Sequence, residues 1–384
     1  MNTKIFVMTH KNFDPPTDPM YVPLQVGRAE NGCVNEAYLG DDTGDHISDL
    51  NHLWGELTGL YWIWRNYEGA ENYIGINHYR RYFVTEEGNL LTEADVDRIM
   101  SEYDMIASER VESPKNYYDI YAEAHNIRDL MTVGESLEKL YPEYKRDFDT
   151  ALSMHAIYSA NLMIAKREDY EAYCAWLFNI LSDAAKEVDV TGYDLYHARV
   201  FGFLSEGLLT VWALHHGLKV YEAHIGYTDE KAETKELKLA VGQLLKQGQF
   251  DSAEEMFNQV MSLRPDISLP MSDIRREIPV IQQILYIGNQ ERKRGLTGIF
   301  SESTDLDQLL KLYDGYYSAM QIMGGGEIAL KDGLPFENNI AGAQEYLHTH
   351  HFTDVAREVM SHYDMYEKYG CKPLNRDLEM MPGK

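Results

Sequence analysis

The chain has 384 residues, 44% of them hydrophobic and 25% charged, with a formal net charge of −27. That acidity argues against a duplex nucleic-acid binder, which needs a basic face, and against broad docking on anionic lipid. Cys33, Cys174 and Cys371 are scattered and form no C-x-x-C pair. Neither a disulfide framework nor a zinc site is indicated, and a reducing cytoplasm fits best.

The amino terminus lacks the apolar core of a signal peptide and runs straight into a β-prone segment, residues 4–9, expected to be strand one. No apolar run approaches the roughly 18 residues of a membrane span. Strand one stops at Thr9, His10 and Lys11. Polar groups at the carboxyl end of a strand are where a doubly wound sheet receives a nucleotide, although an ordinary polar turn reads the same way. Residues 12–23 hold four prolines and should be a loop, and residues 24–27, ending in Gly27, re-enter the sheet edge.

The stretch D-D-T-G-D-H-I-S over 41–48 is a turn-rich loop. Ser48 or Asp49 then caps one helix whose stripe is Leu50, Leu53, Trp54, Leu57, Leu60, Tyr61 and Trp64. The stripe is core. A helix start normally suits phosphate, but Asp41, Asp42 and Asp45 would repel one. With Asn51 they suit ribose or sugar hydroxyls, or a cation; helix capping with solvated acids is the competing reading.

The next stretch, N-Y-I-G-I-N-H-Y-R-R-Y-F over 72–83, organises the rest. Residues 73–76 read as a buried strand that ends abruptly in His78, Tyr79, Arg80 and Arg81. A histidine and two arginines there form a compact anion-binding group in an otherwise acidic chain. Arginines can neutralise a diphosphate through bidentate bonds without a metal. Strand-end salt bridges are the plain alternative.

Thr92 to Asp95 is close to a capping box for a short helix with Val96, Ile99 and Met100 inward. A strand is expected over 103–107, a helix over 119–131 carrying His125 and Asp129, and a further helix capped at residues 132–135. Another strand is expected at 161–165, then a helix over 167–186 and a mostly helical segment over 193–216. Arg199 and Glu206 lie seven apart in that segment, two turns along one face. They read as a buried ion pair, or Glu206 as a catalytic carboxylate. Residues 218–222 close the sheet.

From Asp229 the character changes. A charged run over 230–238 reads as a solvated helix start, followed by one tetratricopeptide-type hairpin marked by Leu244, Gly248, Phe250, Ala253, Phe257 and Pro265. Helices are expected over 278–292, 305–323, 341–349 and 352–366, broken by a flexible glycine joint at 324–326, with a mobile tail over 373–384. His348, His350 and His351 lack a matching ligand set, and His215 and His216 close a helix.

There is no G-x-G-x-x-G after strand one, no G-x-x-x-x-G-K-[ST] and no G-x-S-x-G. Dinucleotide oxidoreductases, P-loop enzymes and α/β-hydrolases are therefore disfavoured. The Asp-x-Asp pairs at 95/97, 147/149 and 305/307 fall in expected helices rather than after a strand. The 28 tyrosines suit sugar faces, or simply pack.

Taken together, D-D-T-G-D-H-I-S, E-L-T-G-L-Y-W-I-W-R-N over 56–66 and Y-I-G-I-N-H-Y-R-R-Y-F resemble a bacterial family of capsular and exopolysaccharide glycosyltransferases, its domain often catalogued as of unknown function. The likeness continues through His125-Asn126-Ile127, Asn161-Leu162-Met163-Ile164 and the 199–206 stretch, and covers about residues 3–225. Two departures stand out: Gly207 where the resemblance expects arginine, and His46 where it expects asparagine.

The resemblance implies an α/β, GT-A-like (Rossmann-like) mixed sheet with flanking helices over 1–228. An all-α, tetratricopeptide-like domain over 229–384 lies outside it. It also implies a nucleoside-diphosphate sugar donor, first of all a UDP-sugar, and a glycan or lipid-linked oligosaccharide acceptor. A divalent metal is admissible but not expected. Thr9, His10, Lys11 and Gly27 would line the nucleotide. Asp41, Asp42, Asp45 and Asn51 would take hydroxyls. His78, Arg80 and Arg81 would hold the diphosphate, and Glu206 or His125 would be the base. The helical domain could meet a membrane surface or a second copy. The rival readings are a non-catalytic carbohydrate- or partner-binding scaffold and a hydrolase of nucleotide sugars.

Overall fold

The computed structural model describes residues 2–110, 112–158, 160–269, 272–324 and 334–361. They fall into two compact units that divide between Thr228 and Asp229.

The first unit is built on eight strands: β1 (Thr3–Thr9), β2 (Tyr21–Gln25), β3 (Leu39–Gly40), β4 (Tyr73–His78), β5 (Arg81–Val84), β6 (Met105–Ser108), β7 (Met163–Lys166) and β8 (Val220–Tyr227). Its helices are α1 (Arg28–Asn31), α2 (Asn51–Trp54), α3 (Leu57–Asn66), α4 (Glu93–Met100), α5 (Tyr117–Ala124), α6 (Ile127–Leu140), α7 (Lys145–Ser153), α8 (Arg167–Ala184) and α9 (Val200–His216). Strands β3, β2, β1 and β4 run parallel and side by side. β7 lies antiparallel on the far side of β4, followed by β6, β8 and β5. β5 also returns to the end of β4, where His78 pairs with Arg81.

β1 alternates two buried faces, as expected of a parallel strand covered on both sides. Phe6 and Met8 join the larger core, built with Leu57, Leu60, Leu177, Leu204 and Leu208. Ile5 and Val7 join the smaller one, with Tyr82, Phe83, Val96 and Ile99. The Thr92–Asp95 capping box forms as the sequence indicates.

Several boundaries differ from expectation. The stripe over 48–66 is not one helix, because Gly55 takes φ +55°, in the left-handed region that glycine adopts most readily. α2 ends there and α3 restarts at Leu57, leaving Glu56 at the elbow. His125 is not inside a helix; it closes α5, and Asn126 starts α6 by accepting from the Arg128 N–H. Residues 132–135, read as a new cap, are the interior of α6. Residue 78 is not a strand end running into a loop but one side of a tight hairpin.

The described residues of the second unit are helical: α10 (Ala232–Lys246), α11 (Phe250–Leu263), α12 (Glu277–Lys293), α13 (Ile299–Glu302), α14 (Leu306–Met323), α15 (Ile340–Thr349) and α16 (Asp354–Ser361). α10 and α11 form a hairpin turning at Gly248, with Ala253 and Phe257 buried. The charged run at its start is not solvated throughout. Lys238 is largely enclosed between Glu230, Asp273 and Glu277 at 2.7, 2.8 and 2.9 Å. Most of the glycine joint, the tail beyond 361 and Cys371 lie outside the described residues. No described helix is long and apolar enough to cross a membrane.

Candidate functional site

The carboxyl ends of β1, β2 and β4 meet at one edge of the sheet. Tyr79, at the tip of the β4–β5 hairpin, donates its N–H to the Met8 carbonyl (2.9 Å). His10 packs edge-on against its ring, and the Lys11 ammonium sits 4.8 Å from the ring centre. Thr9 is buried and closes the turn with the Lys11 backbone. These three therefore adjoin the histidine–arginine hairpin.

Behind Tyr79 lies a cluster of charge. Arg80 is buried, with 7% of its surface exposed. The Nε of Arg81 and the Nε2 of His78 are buried and make no hydrogen bond among the described residues. Three further segments complete the cluster: Glu56 at the α2–α3 elbow, Asn161 before β7, and α9 with Glu206 inside it and Arg199 just before its first residue. Asn161 Nδ2 donates to Glu56 Oε1 (2.9 Å), and Arg199 approaches Glu56 Oε2 at 3.7 Å. Arg199 is thus not the buried partner of Glu206 that their spacing suggested. It sits exposed at the start of α9 and faces Glu56.

The electrostatics separate the two carboxyls. Burial pushes Glu206 up to about 7, and the Glu56 charge adds to the rise; Arg81, the Ala160 N–H and Arg199 oppose it. Burial also works against a charged Glu56, yet His78 in its protonated form, Arg199 and the Asn161 bond together outweigh it, and its pKa falls. Burial drives His78 down; Glu56 opposes the fall, while Arg81, Arg80 and Arg199 deepen it. His78 is therefore a neutral imidazole near pH 7, not the third cation of the group. Two carboxyls whose environments push them apart are a recurrent acid–base arrangement.

The acidic loop is arranged otherwise than the sequence suggested. Asp41 is wholly buried, and its carboxylate accepts from the Gly27 N–H (2.8 Å), the Arg28 N–H (3.1 Å) and the Ser48 hydroxyl. It clamps the loop rather than presenting oxygens to a ligand. Gly27 takes φ +67° to reach it. Asp42 faces Arg28 at 3.7 Å. Asp45 is bound by Arg65 (2.7 Å) and Tyr61 (3.1 Å). Arg65 is in the last turn of α3, roughly 13 Å along the axis from Glu56 at about 1.5 Å per residue, so Asp45 is not brought to the cluster. Asn51 donates to the Gly55 carbonyl (2.7 Å) and so fixes the elbow beside Glu56.

His125 packs among aromatic rings. It stacks on Phe203 with ring centres 4.2 Å apart and touches Tyr121 at 4.9 Å. Tyr121 in turn lies within electrostatic reach of Glu206. Of the sequence candidates, the structure gathers Thr9, His10, Lys11, His78, Arg80, Arg81 and Glu206. Glu56, Asn161 and Arg199 join them without a sequence pattern that marks them for the site. Glu56 sits within a helical stripe in the sequence, and only the break at Gly55 turns it inward.

Among the described residues no group of three or more His, Cys, Asp or Glu side chains is placed to hold a metal ion. The Asp-x-Asp pairs lie on α4, on α7 and at the start of α14.

Residues 4–217 match the family model described as a domain of unknown function, DUF4422. The chain belongs to the DUF4422 family. The DUF4422 region contains every residue of the cluster. Among solved structures, the chain is similar to the apo form of WbbM, a bifunctional glycosyltransferase. The identity is 30%, the TM-score 0.54, and the match covers 59% of this chain and 45% of that one. The match thus spans less than half the length of that protein. No curated protein matches.

Proposed function

We propose that the chain is a glycosyltransferase that moves a sugar, of hexosyl type, from a nucleoside-diphosphate donor to a glycan acceptor in surface-polysaccharide or glycoconjugate synthesis. The observation that carries this reading is Glu206, its carboxyl pushed up to about 7, within electrostatic reach of Arg81 at the start of β5. The likeness to a glycosyltransferase structure supports it. In this reading the first unit is a GT-A-like transferase domain, acting in the cytoplasm, and the helical unit is its tetratricopeptide-like companion.

Arg80 and Arg81 receive the diphosphate and stabilise the charge that grows on it as the glycosidic bond breaks. His78, neutral, contributes a hydrogen bond rather than a charge. Lys11 and Tyr79 face the nucleotide side. In an inverting transfer Glu206 takes the proton of the acceptor hydroxyl as its oxygen bonds to the anomeric carbon. The electron pair of the broken bond leaves with the diphosphate. A base poised near the working pH suits that task.

The test is incubation with UDP-, GDP-, CDP- and TDP-sugars, with and without glycan acceptor, scoring released nucleoside diphosphate and elongated glycan. Glu206→Gln should lower turnover by about 10²–10⁴-fold while donor affinity stays within a few fold. Undiminished turnover in that variant removes Glu206 from the reaction. Release of nucleotide without glycan elongation favours a hydrolase.

A further inference from the structure

One short turn, at Ala160 and Asn161, contacts both carboxyls of the site. Ala160 and Asn161 both have positive φ, +64° and +53°, although neither is glycine. Such backbone is strained and persists where the surroundings enforce it, often at functional sites. Asn161 is 3% exposed. Its amide nitrogen reaches Glu56 Oε1 and Ser205 Oγ, each at 2.9 Å. Ser205 in turn donates to the Gly202 carbonyl (2.7 Å) within α9. The Ala160 N–H is directed at Glu206 itself.

We propose that Asn161 is a positioning residue: from a left-handed turn its amide ties Glu56, and through Ser205 the Glu206 turn of α9, into one fixed pair. This rests on the transferase reading only for the use made of Glu206; the tie itself is independent of it. Asparagine is the side chain for the position, since it tolerates left-handed backbone and carries a donor short enough to bridge both partners. Leucine or valine would strain the turn, and glycine would leave Glu56 untied. The groups facing Glu206 are Glu56 at the elbow, Arg81 on β5, Arg199 at the head of α9, and Tyr117 and Tyr121 on α5. Asn161 acts on Glu206 through the first of them.

The experiment is a carbon-13 NMR titration of glutamate carboxyls in the full chain, the Glu206 signal assigned by its loss in Glu206→Gln. The wild type should show a midpoint near 7. Asn161→Gly keeps the backbone, releases Glu56 and should lower that midpoint by on the order of one pH unit. Asn161→Asp adds a third carboxylate and should raise it. In a Glu56→Gln background, Asn161→Gly should shift nothing further, because its effect runs through Glu56. An unmoved midpoint in both Asn161 variants overturns the proposal. So does an equal shift with and without Glu56. If Asn161→Gly does not fold, the rise in Asn161→Asp decides alone. No nucleotide enters this measurement, so its failure leaves the transferase reading standing, and that reading falls separately if no donor is turned over.

Discussion

The ring of Tyr117 fills the space that a side chain at position 207 would need. A Cβ built on Gly207 would lie 2.5 Å from Tyr117 Cε1, with Tyr117 itself 7% exposed. Where the resemblance expects an arginine, this chain has a glycine and an aromatic ring that fits over it. Gly207→Ala should therefore cost about 1–3 kcal/mol by overpacking. In a Tyr117→Ala background the same change should cost little, because the clash is gone. Denaturant unfolding of the four proteins of that cycle measures both.

Glu206 should make stability depend on pH with a definite sign. Its folded pKa is raised to about 7, so its contribution is most favourable below the ordinary carboxyl pKa and is lost as pH rises through about 7. Glu206→Gln avoids that loss. The variant should be more stable than wild type by under about 1 kcal/mol at pH 5 and by about 3 kcal/mol at pH 8. Chemical denaturation at the two pH values checks it. An advantage of equal size at both would place the carboxyl in ordinary surroundings.

Asp41 should behave as a structural clamp. Asp41→Ala strands the Gly27 and Arg28 N–H groups and the Ser48 hydroxyl. The expected loss is about 2–4 kcal/mol, with nucleotide affinity reduced only through the loop. Asp45→Ala, which releases an exposed ion pair, should cost under about 1 kcal/mol and leave affinity unchanged. Melting curves and nucleotide titrations of the two variants separate clamp from ligand contact.

Binding of a nucleoside diphosphate should take up protons. Arg81 favours the charged form of Glu206, and a diphosphate engaging Arg81 withdraws that support. A shift of one pH unit or more in Glu206 means uptake of roughly 0.4 proton per nucleotide at pH 7. Calorimetry in buffers of different ionisation enthalpy reads this directly. The uptake should vanish in Glu206→Gln.

What was legible in the sequence was local. The β-prone run of β1, the Thr92 capping box and the α10–α11 hairpin are carried by short-range periodicity and turn residues. The hairpin at His78–Arg81 was half legible: its charge stood out, its reversal did not, because no glycine marks the turn. What was not legible depended on breaks. One left-handed glycine at 55 turns Glu56 out of an apolar stripe. Ala160 carries no sequence signal for the left-handed turn, and Asn161 only the weak one common to every asparagine. Arg199 and Glu206 share a helix spacing, but α9 begins at Val200, so Arg199 is free to face Glu56. The second carboxyl of the site came from tertiary geometry alone.

In the proposed function the hairpin closing β4 receives a diphosphate. Calorimetric titration with the nucleoside diphosphates UDP, GDP, CDP and TDP, on wild type and Arg81→Ala, tests it most directly. One of them should bind the wild type, and the variant should lose about 10- to 100-fold in affinity, the worth of a charge-assisted hydrogen bond. Equal affinity in the two proteins, or no binding by the wild type, would contradict it.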